Sequence, residues 1–298
     1  MGNIKRSFNF SLCADDFALS PGVSRGILEA LQAGRLSATG VMTTRPSWSQ
    51  AARALAHVAA DADIGLHLNL TLAAPLSRMP KFAPSGELPG IRQVLEAARK
   101  RQLPEAEIRQ EIACQLDSFL DHFGQAPDFV DGHQHIQVLP GLRHWLFDEL
   151  ESRGLAGKSW LRDSGDRFSD ILRRGIEVKK ASVVAWISRD FARSAKARGF
   201  TTNIGFAGFS AFAAERNFGA DFARHLVAPG SRHLVMCHPG YVDDVLVSLD
   251  PVTTTREQEL AFLLSPRFKD LLDTMGARLT RLSQRGPEVR DPVHKTPV

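Results

Sequence analysis

Short apolar runs with period-two alternation take turns along this chain with stretches whose apolar positions recur every three or four residues, the pattern of strands alternating with amphipathic helices. SFNFSLCA, with Phe8, Phe10 and Leu12 on one face, predicts a first strand ending at Asp15 and Asp16. Ser20 reads as an N-cap, Pro21 as the first helical residue, where its missing N–H does no harm, and Gly34 as the stop. SATGVMTT from Ser37 predicts the second strand, SWSQAARALAHVAA the second helix and DIGLHLNLT the third strand. From Ala73 to Gly90 the chain is rich in Pro and Gly, aperiodic and long for a connection, which predicts a loop covering a site. Two helices follow, the second opening at Pro104 with Glu105 and Glu107 in its first turn and stopping at Gly124. DFVDGHQHIQVL predicts the fourth strand, LRHWLFDELESRG a helix and SWLRD the fifth strand. Helical signal from Asp166 to Arg198 is interrupted at Gly175; FTTNIG, HLVMCHPG and GARLTRLS then complete the strands, with the helical TREQELAFLL before the last.

About eight strands separated by helices, with no low-complexity linker, predict one α/β domain over residues 1–285, barrel-like, with an open doubly wound sheet as the alternative. Residues 286–298, with three prolines and no apolar period, predict a frayed tail. No GxGxxG follows the first strand and no GxxxxGK[ST] occurs, so nucleotide cradles are excluded.

Composition narrows the picture modestly. The 298 residues are 43% hydrophobic and 23% charged, a globular balance, and the net charge of +4 reads as a small surplus spread along the chain. That argues against a nucleic-acid partner. No run approaches the ~18 apolar residues of a membrane span, and Asp15 and Asp16 arrive before a signal-peptide core could form, so no membrane partner and a cytoplasmic location are expected. Cys13, Cys114 and Cys237 lack CxxC spacing and predict reduced thiols, those of the apolar strands being inert.

Reactive groups of a β/α barrel gather at the C-terminal ends of its strands, and the unusual polar residues of this chain fall there. Asp15 and Asp16 end strand one, and neighbouring carboxylates pointing different ways could bind a metal and take a proton, or cap a helix. His67 and Asn69 share the polar face of strand three, as a metal ligand or a hydrogen-bonded core histidine. His133 and His135, two apart in one strand, predict imidazoles on a common face beside Asp131. His238 ends strand seven, in a site or in turn packing. Phe206, Phe209 and Phe212 could stack on a sugar or fill the core; Arg256 and Glu257 read as a solvated helix start.

ADDFALSPGVSRGILEA, GLHLNLT, VDGHQHIQVLP, GFAGF and HLVMCHPGYVDD followed by TREQELAFL, in that order over nearly the whole chain, resemble the YdjC-like carbohydrate deacetylases, the ChbG/HpnK group. The resemblance implies a distorted, TIM-like β/α barrel and a hydrolase that removes N-acetyl groups from amino sugars or chitooligosaccharides with one divalent metal ion. It implies Asp16, His67 and His133 as metal ligands and Asp15 as general base. His238 is the candidate acid or oxyanion stabiliser, and His135, Phe206 and Phe209 are substrate-binding candidates. Imidazole ligands favour Zn²⁺ or another transition ion, whereas the family implies Mg²⁺. The expected partner is an N-acetylated sugar, with a homodimer left open.

Two positions depart from the family pattern. Ala18 stands where ADDFG is usual and is expected to avoid positive φ; Gln137 stands where relatives often carry His, and an altered outer substrate contact is expected. Rival readings are a phosphoesterase or amidohydrolase, which would place HxH after the first strand, and a non-catalytic sugar-binding relative, which would need no free carboxylate beside a metal.

Overall fold

In the computed structural model, which describes residues 7–284, nine strands form one parallel sheet in the order β6-β5-β4-β3-β2-β1-β8-β7, with β9 paired to the start of β1. In chain order the elements are β1 (Phe8–Phe17), α1 (Pro21–Gln32), β2 (Ala38–Val41), α2 (Trp48–Ala56), β3 (Asp63–Leu68), α3 (Ile91–Lys100), α4 (Glu105–Phe123) and β4 (Phe129–Gly132). There follow a 3-10 segment (His133–Val138), α5 (Leu142–Ser152), β5 (Trp160–Leu161), α6 (Phe168–Arg174), α7 (Val178–Ser188), α8 (Phe191–Ala197), β6 (Thr201–Thr202) and β7 (Phe206–Ala207). The last are α9 (Phe218–His225), β8 (His233–Cys237), α10 (Asp244–Leu249), α11 (Thr254–Leu264), α12 (Pro266–Met275) and β9 (Ala277–Leu279).

The sheet's terminal strands, β6 and β7, are successive in the chain and do not pair, so the curled sheet is a distorted barrel with one seam. Two of the covering helices end where their local sequence says they should. Ser20 accepts the Val23 N–H at the start of α1, and Gly124 in the left-handed conformation closes α4, as the capping residues predict. The proposed tail at 286–298 lies outside the described residues.

Strand parity divides the side chains into two layers. Phe10, Leu12 and Ala14 of β1, and Ile64, Leu66 and Leu68 of β3, join the large cluster that packs under the helices. Cys13, Ala38, Phe129, Trp160, Phe206 and Leu234, from six different strands, form a smaller cluster inside the curled sheet. Each inward position repeats two residues later, at the C-terminal end where the strand leaves the core.

The segment from Ala73 to Gly90 has no helix or strand, as its composition predicts, but it does not line the site cavity. It is tied down on α4 instead: Glu111 accepts the Leu76 and Ser77 N–H groups, Glu107 those of Lys81 and Phe82, and Met79, Phe82 and Leu88 are buried. The loop delivers α3, whose Ile91 and Leu95 do line the cavity.

Candidate active site

The inward period of two carries polar side chains from the core to the barrel mouth. Cys13 is followed by Asp15, Gly65 by His67, Phe129 by Asp131, Trp160 by Arg162 and Met236 by His238. Asp15, Asp16, His67, His133 and His238 share a cavity of about 370 Å³.

Asp16 breaks the parity. A strand should turn consecutive side chains apart, yet Asp15 and Asp16 both reach this cavity, because Asp16 sits at φ 69° in an irregular stretch of β1 between Ala14 and Phe17. Asp16 Oδ1 lies 3.4 Å from His67 Nε2 and 3.1 Å from His133 Nδ1, and suitable donor atoms of these three residues lie within 4.8 Å of one another. The other nitrogen of His67, Nδ1, is hydrogen-bonded at 2.6 Å to Asp131, which fixes the ring and leaves Nε2 directed at Asp16. Gly40 on β2 makes room for this pair: a Cβ there would come within 3.1 Å of His67 and 3.3 Å of Asp131. One carboxylate and two imidazoles, one of them oriented by a second carboxylate, suit a divalent transition ion. The surroundings also favour positive charge. Burial opposes protonation of His67, but Asp131 and Asp15 outweigh it and raise the imidazole to about 10.

Asp15 is not the free carboxylate that its neighbour's role suggests. Arg162, fully buried just after β5, donates to both its oxygens, at 2.7 and 2.6 Å, and also lies 2.5 Å from Asp131 and 3.1 Å from Cys13 Sγ. Burial alone would raise Asp15; the guanidinium, with His67, reverses this and holds the carboxyl well below its usual range. Cys13, Asp15 and Asp131 form a second cluster of metal-type donors, and Arg162 is the cation that fills it.

Asp16 has its own cation. Arg256 of α11 is 1% exposed and reaches Asp16 Oδ2 and Asp250 at 2.8 Å each, which corrects its reading as a solvated helix start. Against the effect of burial, Arg256 and His133 hold Asp16 well below the usual carboxylate range. With Oδ2 engaged, Oδ1 faces the histidines.

His238 Nε2 stands 4.0 Å from Asp15 Oδ2, and its backbone N–H is held at 2.6 Å by Glu259 of α11. Burial lowers the His238 imidazole to about 4, only partly offset by Asp16 and Asp15, so it is neutral at pH 7. Glu259, also buried, is pushed up to about 7.

The fourth strand is shorter than its apolar run predicts. It ends at Gly132, and His133 and His135 lie in the 3-10 segment, with Gln134 at φ 55° and His135 at φ 63°. The two histidines therefore do not share a strand face. His133 joins Asp16 and His67; His135 lines the same cavity but packs edge-on against Phe206 and Phe209, and burial beside Arg162 lowers it to about 3. Phe206 and Phe209 are 1% and 4% exposed and support His135 from the core, where no sugar could stack on them; Phe212 is the phenylalanine on the cavity wall. Gln137 is likewise buried, donating to the Arg162 carbonyl and Ser164, so it is a core bond and not an outer contact. Ala18 occupies the left-handed region at φ 72°, contrary to expectation. The three cysteines are free, and burial raises Cys13 and Cys237 well above the usual thiol range.

Arg162 is the main site residue absent from the sequence reading, although its parity with Trp160 could have shown it. Arg256 and Glu259 left no comparable signal, since α11 is brought to the mouth only by tertiary packing.

Residues 9–274 match the model of the family described as YdjC-like protein. A chitooligosaccharide deacetylase of Klebsiella pneumoniae (strain 342) is 30% identical over 267 residues, covering 89% of this chain and 94% of that protein. One from Enterobacter sp. (strain 638) is 35% identical over 143 residues, 48% of this chain and 56% of its own length. Among solved structures, a chain of Enterococcus faecalis V583, described as a candidate cellobiose-phosphate cleavage protein, superposes with a TM-score of 0.68 at 20% identity, covering 93% of this chain and 98% of its own. That likeness shows a shared fold.

Proposed function

The chain belongs to the YdjC-like protein family, and from that premise we propose that it is a metal-dependent carbohydrate N-deacetylase, hydrolysing the acetamide of an amino sugar or chitooligosaccharide. The observation that carries this reading is the convergence of Asp16, His67 and His133 on one cavity with the separately anchored Asp15 beside them.

Asp16, His67 and His133 would hold the ion. Bound there, it would polarise the acetyl carbonyl and acidify a water. Asp15, kept ionised and oriented by Arg162, takes the proton as the water oxygen attacks the carbonyl carbon. His238, 4.0 Å away and neutral, accepts the proton from Asp15 and delivers it to the nitrogen as the C–N bond breaks, giving acetate and a free amine. His135 and Phe212 contribute to the wall that meets the sugar. Two imidazoles among three ligands favour Zn²⁺ or another transition ion over Mg²⁺. Free cysteines suit work in the cytoplasm.

The test is acetate release from N-acetylated mono- and oligosaccharides with the metal varied. Asp15→Asn should keep the metal and lower kcat by ~10²- to 10⁴-fold, the usual range for losing a positioned proton acceptor. Asp16→Asn should lose metal and activity together. Sugar binding without acetate release under any metal would overturn the catalytic reading, and a fully active Asp15→Asn enzyme would remove the base.

A further inference from the structure

The surface beside the cavity mouth carries a feature that deacetylation does not use. Residues 166–198 hold nine Lys and Arg against four Asp and Glu, a surplus of five in a chain whose net charge is +4. The basic excess is thus concentrated, not spread along the chain, and the remainder is nearly neutral. Seven of these bases, among them Lys179, Lys180, Arg189 and Arg193, are exposed, whereas the four acidic residues are each partly buried.

Among the bases, α6 exposes Phe168 and Leu172, at 61% and 51%, and α7 exposes Val183 and Trp186, at 52% and 66%. Lys179, Val183 and Trp186 follow one another at four- and three-residue spacing and so share a face of α7. The Arg189 guanidinium lies 4.7 Å over the Trp186 ring. An exposed tryptophan with aliphatic neighbours and flanking cations suits the headgroup region of a bilayer: the ring and aliphatic chains enter the interface while Lys and Arg meet phosphates.

We infer that α6 and α7 dock this protein on an anionic lipid surface. A nucleic acid would use the charges but leave Phe168, Leu172 and Val183 without a role. A second copy joined through the same face would set the basic surplus against itself. Among the described residues no helix is long and apolar enough to cross a membrane, which is no obstacle, because a surface helix needs only one apolar face. Lys180, Val183, Val184 and Ile187 of α7 also line the cavity, so the docking face and the site entrance share one helix.

Flotation of the full-length protein with vesicles of phosphatidylcholine alone, and of phosphatidylcholine mixed with phosphatidylglycerol, tests this. Binding should favour the mixed vesicles and weaken in high salt. It should fall about fivefold for each charge removed in Lys179→Gln and Arg189→Gln, and about tenfold in Trp186→Ser through lost apolar burial. Trp186→Ser should keep its melting temperature and its acetate release from a soluble substrate. Failure to bind the mixed vesicles, or binding indifferent to Trp186→Ser, would overturn the proposal. A solution dimer that Trp186→Ser dissolves would also overturn it, assigning the face to a second copy.

Discussion

Two buried arginines decide what the two neighbouring aspartates can do. Arg162 binds both oxygens of Asp15, and Arg256 occupies one oxygen of Asp16, so chemically identical side chains become a fixed proton acceptor and a ligand with one free lobe. Removing Arg162 would leave Asp15 and Asp131 buried without their cation. Arg162→Met should therefore destabilise the protein by roughly 3–5 kcal/mol, the magnitude for breaking a buried ion pair by deleting one partner. Equilibrium urea unfolding measures it. A change below ~1 kcal/mol would show that the network contributes little to the fold.

The end of β1 and its turn into α1 hold two non-glycine residues in the left-handed region. Asp16 at φ 69° swings into the site, and two residues later Ala18 at φ 72° carries a Cβ in a conformation that glycine adopts freely. Ser24 accepts the Ala18 N–H and Ser47 donates to its carbonyl, so hydrogen bonds hold the backbone in that shape. Ala18→Gly should stabilise the protein by about 1 kcal/mol, since relief of left-handed strain exceeds the added freedom of the unfolded chain. Activity should be unchanged. Thermal unfolding at fixed pH tests this, and a lower melting temperature would show that the turn is unstrained.

At the scale of the whole molecule, burial of imidazoles makes stability depend on pH. His225 on α9, 5% exposed, is lowered to about 3 chiefly by burial, with Asp221 opposing and Arg174 assisting. Because its folded value lies below the unfolded 6.5, the unfolded chain binds the proton more readily. The stability associated with neutral His225 is complete above about pH 6.5 and lost progressively as pH falls toward 3. Denaturation midpoints measured across that window should decline in the parent and decline less in His225→Phe. Parallel curves for the two would remove His225 as a cause.

How far the sequence determined this protein follows from the range of the forces involved. Apolar period, caps and turn residues act within a few positions of one another, so the strand–helix alternation, the Ser20 and Gly124 helix boundaries and the placing of Asp15, His67 and His238 at strand ends were legible without coordinates. The 3-10 turn after Gly132 was not, because two left-handed residues after an apolar run read locally as more strand. Nor was the burial of Phe206 and Phe209, since their spacing is the same whether a ring faces substrate or core. The pairings of Arg162 with Asp15 and Arg256 with Asp16 span 147 and 240 residues. Only closure of the curled sheet brings those groups together. Burial there then makes pairing obligatory, since an isolated charge inside a protein is far costlier than a matched one.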